Sequence, residues 1–421
     1  MISRSRVLSI TLAGLAALGT MWGQNPVTDW NNTAIAAALA ANQVTAPGSS
    51  AQPGSILYLA YVHLAIYDAV NAIDHRFQSY GPDISAPSDA SREAAAIEAA
   101  FRMLVYLFPD LAASLTAQYN AALSVIPLSQ AKIDGMQAGL AAANSIIALR
   151  TGDGRGASVP YAWPSVPTPG VWIPTPPALA APALPWLGKM VPFTMNSPSQ
   201  FRPDPPLSLA STDWADDYNQ VKTLGAVKSA VRTAAQTDTA LFWTDHVGSQ
   251  YSRTFRALAV ARNLDISDTA RLFATLYTTG ADAAIGCWDA KYHYNFWRPV
   301  TAIPNAAIDG NPDTVPDASW LPLLATPNHP EYPSAHSCVT GALANALTTF
   351  FGVPNVTVEV NSAVTKTTRT FTRVSEWEKD VEYARVYAGF HYHHSVVEGI
   401  ALGKKVSDQV GKNYFQPLSK H

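Results

Sequence analysis

The sequence is poor in the features that mark most nucleotide, nucleic-acid and metal proteins. Of its 421 residues only 14% are charged, and the net charge is −3. Its cations are scattered, with no basic run interleaved with aromatics, which excludes a nucleic-acid partner. No glycine-rich phosphate loop, CxxC pair or HExxH helix occurs, so three common routes to phosphate, redox and zinc chemistry have no motif to rest on. There is no internal repeat. Long apolar runs are also few. Val7 to Leu18 follows Arg4 and Arg6 and precedes the small residues Gly19, Thr20 and Gly23. It is short for a membrane span, and the pattern predicts a signal peptide over residues 1–23, cleaved between Gly19 and Gln24, hence a secreted or periplasmic protein. Ile56 to Ile73 carries His63 and Asp68 and reads as a core helix, which leaves no membrane span in the mature chain.

What is present is a large apolar fraction, 48%, ample for one large core or two smaller ones. Residues 24–151 are alanine-rich and have helical periodicity, with helices expected over Asp29–Ala41, Ile56–Ile73, Ser91–Phe108, Leu111–Val125 and Ser129–Leu149, and Asp110 and Ser129 as N-caps. Residues 152–215 hold many prolines together with Trp163, Trp172 and Trp186. Such a stretch is neither helix nor central strand, and its tryptophans argue for an extended segment packed over the helices. Residues 216–421 return to helix. The expected elements are Asp216–Val231, Asp238–His246, Ser249–Arg262, Ser267–His293, Ala335–Phe351, Ser375–His391 and Val396–Gly411, with a small β-hairpin from Val356–Val360 and Thr367–Thr372. The fold class is therefore all-α with a minor hairpin.

Three segments place polar groups in otherwise apolar helical text. In Lys291-Tyr-His-Tyr-Asn-Phe-Trp-Arg298-Pro299, a helix continued through Arg298 would set both cations on one face, two turns apart, with Pro299 ending it. Two cations held close repel unless an anion lies between them. In His329-Pro-Glu-Tyr-Pro-Ser334-Ala335-His336, Ser334 stands where an N-cap belongs, and a helix N-terminus offers free N–H groups to an oxyanion. His336 on the first turn can give or take a proton. In Arg385-Val-Tyr-Ala-Gly-Phe-His391-Tyr-His393-His394-Ser395, Arg385 brings the planar fork that grips oxyanions, and the three histidines leave the register of a ligand open. Taken together these are three cations, a hydroxyl, a helix N-terminus and imidazoles. With few carboxylates nearby, the set suits an oxyanion rather than Zn²⁺, Mg²⁺ or Ca²⁺. Cys287 and Cys338 flank two of these segments, so a disulfide and two separate buried thiols both stay open.

Lys-x6-Arg-Pro, Pro-Ser-x-His and Arg-x5-His, in this order, resemble the vanadium-dependent haloperoxidase and type 2 phosphatidic acid phosphatase superfamily. The resemblance implies helical bundles with the site in one of them, and vanadate as cofactor. It implies that Lys291, Arg298 and Arg385 neutralise the vanadate oxygens, that Ser334 and the N–H of Ala335 hydrogen-bond them, that His391 is the axial metal ligand and that His336 is the acid–base residue. The substrates it implies are hydrogen peroxide and a halide, with hypohalous acid as product; an organic acceptor and a homo-oligomer also fall within the family's range. Ala335 replaces the family's usual glycine. Ser395 replaces its aspartate four residues after the last histidine, which argues against a phosphatase, since that residue orients the nucleophilic histidine there. Trp288 matches a tryptophan near vanadate in the resembling haloperoxidases. His329 stands where the resembling bromoperoxidases carry histidine and chloroperoxidases phenylalanine, which favours bromide or iodide. Asp245 or Asp238 is expected to pair with Arg385. A secreted acid phosphatase and a non-catalytic oxyanion-binding protein are the alternatives to a haloperoxidase.

Overall fold

A computed structural model describes residues 25–41, 46 and 51–418. The expected signal peptide lies outside the described residues. The N-terminal helices are α1 (Pro26–Ala40), α2 (Gly54–Asp74), α3 (Arg92–Leu107), α4 (Ala112–Ser124) and α5 (Gln130–Arg150). After the proline-rich stretch come α6 (Thr212–Leu224), α7 (Ala234–Phe242), α8 (Val247–Ala261), α9 (Ile266–Tyr294) and the short α10 (Pro299–Ala302). The chain closes with α11 (Ala335–Phe351), β1 (Val358–Asn361), β2 (Thr368–Phe371), α12 (Val374–Tyr387) and α13 (His393–Asn413). The two strands pair antiparallel, Val358 opposite Phe371, as the alternation predicted.

Caps account for most boundaries. Ser129 accepts from the Lys132 N–H and starts α5. Asp110 does not cap α4; it sits in a 3-10 turn, Pro109–Leu111, that leads into the helix. Two expected helices are displaced toward the N-terminus. Ser211 caps the N–H of Trp214, so α6 starts at Thr212 rather than Asp216 and stops at Leu224. Thr233 and Gln236 form a capping box that starts α7 at Ala234 rather than Asp238.

One apolar core runs from Val27 to Phe415 and takes in both helical regions. At its centre α2 packs on α9. Long and apolar enough to cross a membrane, α2 is instead wholly enclosed by the fold, and its Asp68 accepts the N–H groups of Tyr80 and Gly81. The tightest helix pair is α11 with α13. A Cβ on Gly403 would stand 2.2 Å from the Cys338 carbonyl oxygen, so only glycine permits this approach. The close packing matters because α11 and the loop ahead of α13 carry the site.

The proline-rich stretch holds one 3-10 turn, Leu187–Lys189, and otherwise alternates extended chain with repeated turns and bends rather than running extended throughout. Trp172 and Trp186 are buried, whereas Trp163 is 42% exposed. The Ala183 carbonyl accepts from Trp288 Nε1 at 3.1 Å and from the Tyr292 hydroxyl at 2.7 Å. The segment is thereby fastened along α9, and Ala183 and Leu184 become one wall of a cavity that also meets Trp288.

Candidate active site

The first motif does not lie on one continuous helix. Asn295 ends α9 in the left-handed conformation, φ 50°, donating its N–H to the Lys291 carbonyl. Arg298 is extended, φ −83° and ψ 154°, and serves as N-cap to α10, whose first residue is Pro299. Proline excludes the α conformation from the residue before it and fits the first helical position, so Pro299 starts a helix rather than ending one. Lys291 and Arg298 still converge, from the last turn of α9 and from the loop beyond it.

Lys291 is fully buried and donates to the carbonyls of Pro330 and Glu331, both at 2.8 Å. Arg298, also fully buried, donates Nε to the His329 carbonyl at 3.0 Å and Nη1 to the Phe390 carbonyl at 2.8 Å. Its Nη1 also meets His391 Nε2 at 2.9 Å, and its Nη2 meets His329 Nδ1 at 3.0 Å. A guanidinium only donates, so His391 Nε2 is an acceptor. His329 Nδ1 lies between a donor, Arg298 Nη2, and an acceptor, the Pro330 carbonyl at 3.2 Å. Arg385 is 3% exposed; Nη1 donates to the Trp243 carbonyl at 3.2 Å, and Nε is buried with no partner among the described residues.

Ser334 is the N-cap of α11 by backbone, as expected, but its side chain does not cap the helix. Its Oγ accepts from the Ser337 hydroxyl at 3.0 Å, which leaves its own proton to donate. Ala335 and His336 occupy the first turn, where N–H groups lack intrahelical acceptors. His391 lies in the loop between α12 and α13 rather than at the end of a helix, because Gly389, φ 77°, turns the chain. The other two histidines point elsewhere. His393 pairs with Glu382 at 2.6 Å, and the His394 ring stacks on Tyr332.

The cavity at this place measures about 400 Å³ and is lined by Trp288, His329, Ala335, His336, Arg385 and His391 together with apolar walls. Lys291, Arg298 and Ser334 stand behind this lining, each 0% exposed. The Trp288 and His329 rings lie 4.9 Å apart.

Two expectations about acidic partners are corrected. Neither Asp245 nor Asp238 meets Arg385: Asp245 pairs with Arg253, and Asp238 with Arg369 at 2.7 Å. The carboxylate that reaches the site is Glu331, which the sequence reading passed over inside the quoted His329–Pro333 segment. Its Oε1 accepts from His391 Nδ1 at 2.8 Å and its Oε2 from the Ser395 hydroxyl at 2.6 Å. The lack of an aspartate at position 395 therefore leaves His391 with a carboxylate partner, and that lack no longer separates a peroxidase from a phosphatase. The cysteines are free and buried, and the Cys287 thiol donates to the Pro333 carbonyl at 3.7 Å.

Burial dominates the electrostatics. It pulls Lys291 down to about 8 and Arg298 to about 10. It pulls Arg385 to about 9, with the nearby Arg298 charge adding to the effect. Burial raises Glu331 to about 7 against the pull of Arg298. It holds His329, His336 and His391 well below the usual imidazole range, so all three are neutral at pH 7. The site thus buries three cations against one carboxylate that is itself pushed toward neutrality. Uncompensated buried charge is costly, and an anion in the cavity relieves it. The orphaned Arg385 Nε and the free first turn of α11 fit a tetrahedral oxyanion such as vanadate or phosphate; the His391 Nε2 lone pair accepts from Arg298 Nη1 and opens to such a ligand once that bond is given up.

An all-α protein with a buried polycationic oxyanion pocket is the class that fold and site define. Residues 271–419, which hold Lys291, Arg298, Ser334, His336, Arg385 and His391, match the VCPO second helical-bundle domain. The vanadium chloroperoxidase of Curvularia inaequalis is 28% identical over 192 residues, 38% of this chain and 31% of that protein. This chain thus aligns with about a third of the length of that curated relative. The fold is that of a bacterial vanadium-dependent iodoperoxidase, with a TM-score of 0.77, 24% identity, and coverage of 94% of this chain and 99% of the other. A bacterial vanadium-dependent chloroperoxidase in its holo form is similar at a TM-score of 0.67 and 16% identity, over 85% of this chain and 90% of that one. The chain is similar to vanadium haloperoxidases in sequence along its C-terminal part and in fold along nearly its whole length.

Proposed function

We propose that this protein is a secreted or periplasmic vanadium-dependent haloperoxidase that uses hydrogen peroxide to oxidise bromide or iodide in preference to chloride. The observation that carries the reading is the excess of buried positive charge from Lys291, Arg298 and Arg385 around the acceptor nitrogen of His391. Lys291, Arg298, Arg385, Ser334 and the Ala335 N–H would hold vanadate, with His391 Nε2 as the metal ligand. Bound vanadate supplies a Lewis acid that activates peroxide without changing its own oxidation state. His336, neutral and facing the cavity, is placed to take a proton from entering peroxide and return it to the leaving oxygen. His329 lines the cavity beside Trp288 and sets a polar imidazole near a halide, where a phenylalanine would offer no hydrogen-bonding group.

One observation favours a second reading. His391 bonded through Nδ1 to a buried carboxylate is also the arrangement a nucleophilic histidine needs, so an acid phosphatase using the same pocket stays in view.

The deciding experiment measures dye bromination and iodide oxidation by the purified mature protein, with peroxide, with and without orthovanadate, beside nitrophenyl phosphate hydrolysis. Vanadate-dependent halide oxidation with little hydrolysis supports the proposal. Hydrolysis that vanadate suppresses, without halide oxidation, overturns it for the phosphatase. Tight anion binding with neither activity points to a binding protein.

A further inference from the structure

The family's aspartate would approach His391 from the first turn of α13, four residues along. That position holds Ser395, and the carboxylate arrives instead on Glu331, from the loop that leads into α11. Glu331 is 0% exposed, and both of its oxygens have donors. Oε1 accepts from His391 Nδ1 at 2.8 Å and from the Tyr392 N–H at 3.1 Å, while Oε2 accepts from Ser395 at 2.6 Å. We propose that Glu331, clamped by Ser395, is the positioning residue for His391 and has taken over the role of the missing aspartate. The proposal rests on the reading of His391 as the ligand to an oxyanion.

Three features support it. First, with donors on both oxygens the carboxylate cannot rotate, so it fixes the imidazole plane as well as its proton. Holding the proton on Nδ1 leaves Nε2 as a lone pair, and this is the nitrogen that faces Arg298 at 2.9 Å. Second, the same residue sets a second site group. The Glu331 carbonyl accepts from Lys291 Nζ at 2.8 Å, so one residue fixes the spacing between the cation and the imidazole. The adjoining His329 and Pro330 carbonyls hold Arg298 and Lys291. Third, the exchange is reciprocal. An aspartate at 395 would face the Glu331 carboxylate across a 2.6 Å contact, and two carboxylates at that distance repel. Serine both removes the clash and donates the bond that replaces it. Glutamate at 331 and serine at 395 thus form one unit built from two distant segments.

The test is equilibrium binding of orthovanadate and of inorganic phosphate to the full mature chain, for wild type, Glu331→Gln, Glu331→Asp and the double variant Glu331→Gln/Ser395→Asp. Vanadate needs the bond to His391 Nε2, whereas phosphate is held by the cations alone. Partners of this kind contribute roughly 10–100-fold to metal affinity, so E331Q should weaken vanadate by about that factor and phosphate by less than about threefold. The double variant, with its carboxylate back on α13, should recover vanadate binding to within about threefold of wild type. If E331Q does not fold by far-UV circular dichroism, E331D, which withdraws the carboxylate by one methylene, should show the same split at smaller size. Unchanged vanadate affinity in E331Q overturns the proposal. Equal weakening of both anions without rescue also overturns it, since that is the mark of general packing. A wild type that binds phosphate but not vanadate overturns the peroxidase reading, and the positioning role then stands or falls on the phosphatase rates of the same variants.

Discussion

Arg385→Met is expected to make the anion-free protein more stable while removing its response to oxyanions. The side chain is 3% exposed, its Nε has no partner, and its pKa is pulled from 12.5 to about 9. A folded-state value below the unfolded one means that the fold binds this proton less tightly. The cost is therefore complete below pH 9 and is relieved only as the pH rises through 9 toward 12.5. At about 1.36 kcal/mol for each tenfold change in proton affinity, burial of the cation costs the fold roughly 5 kcal/mol at pH 7. Against this, methionine gives up the bond to the Trp243 carbonyl, worth about 1 kcal/mol. Replacing buried charge by an apolar side chain of similar volume typically gains about 1–4 kcal/mol, which sets the expected net effect. Wild type should gain about 2.7 kcal/mol from phosphate at a hundred times its Kd, and R385M almost none. Urea unfolding in anion-free buffer and again in phosphate measures both quantities. A variant less stable than wild type, or one that phosphate protects equally, would refute the claim that Arg385 is an uncompensated cation awaiting an anion.

His391→Ala should abolish vanadate-dependent halide oxidation and leave far-UV circular dichroism unchanged, because the residue sits in a loop between α12 and α13; wild-type rates would redirect the ligand assignment to His393 or His394. In the ligand-free protein Lys291 loses its proton as the pH rises through about 8. Phosphate affinity by calorimetry should accordingly fall above pH 8, and a flat profile up to pH 9.5 would count against a cationic role for Lys291. Gly403→Ala forces a methyl against the Cys338 carbonyl and should destabilise the protein by about 1–3 kcal/mol or more in urea unfolding; a neutral result would mean that α11 and α13 separate readily.

Some of what the sequence reading missed was present locally. The pair Arg298-Pro299 already signals a helix start, since proline excludes the α conformation at the preceding residue. The capping box Thr233-x-x-Gln236 was also readable. Other facts had no local signal. Nothing near Glu331 says that its carboxylate meets a histidine sixty residues later, and nothing near Asp245 says that Arg253 rather than Arg385 claims it.

By itself, the sequence determined most of the helices and the residue types that gather at the pocket. Helical periodicity and caps act over one or two turns, and Lys291, Arg298, Ser334, His336, Arg385 and His391 are by type and order the groups an oxyanion would need. Only the tertiary structure decided which partners these groups have. It chose His391 among three neighbouring histidines, brought Glu331 to it, left Arg385 Nε unpaired, and folded the proline-rich segment into a wall of the cavity. The reason is range. A backbone pattern is set by residues a few positions apart, whereas the partner of a buried charge is set by whichever segment the packing of α9, α11 and the α12–α13 loop brings within 3 Å.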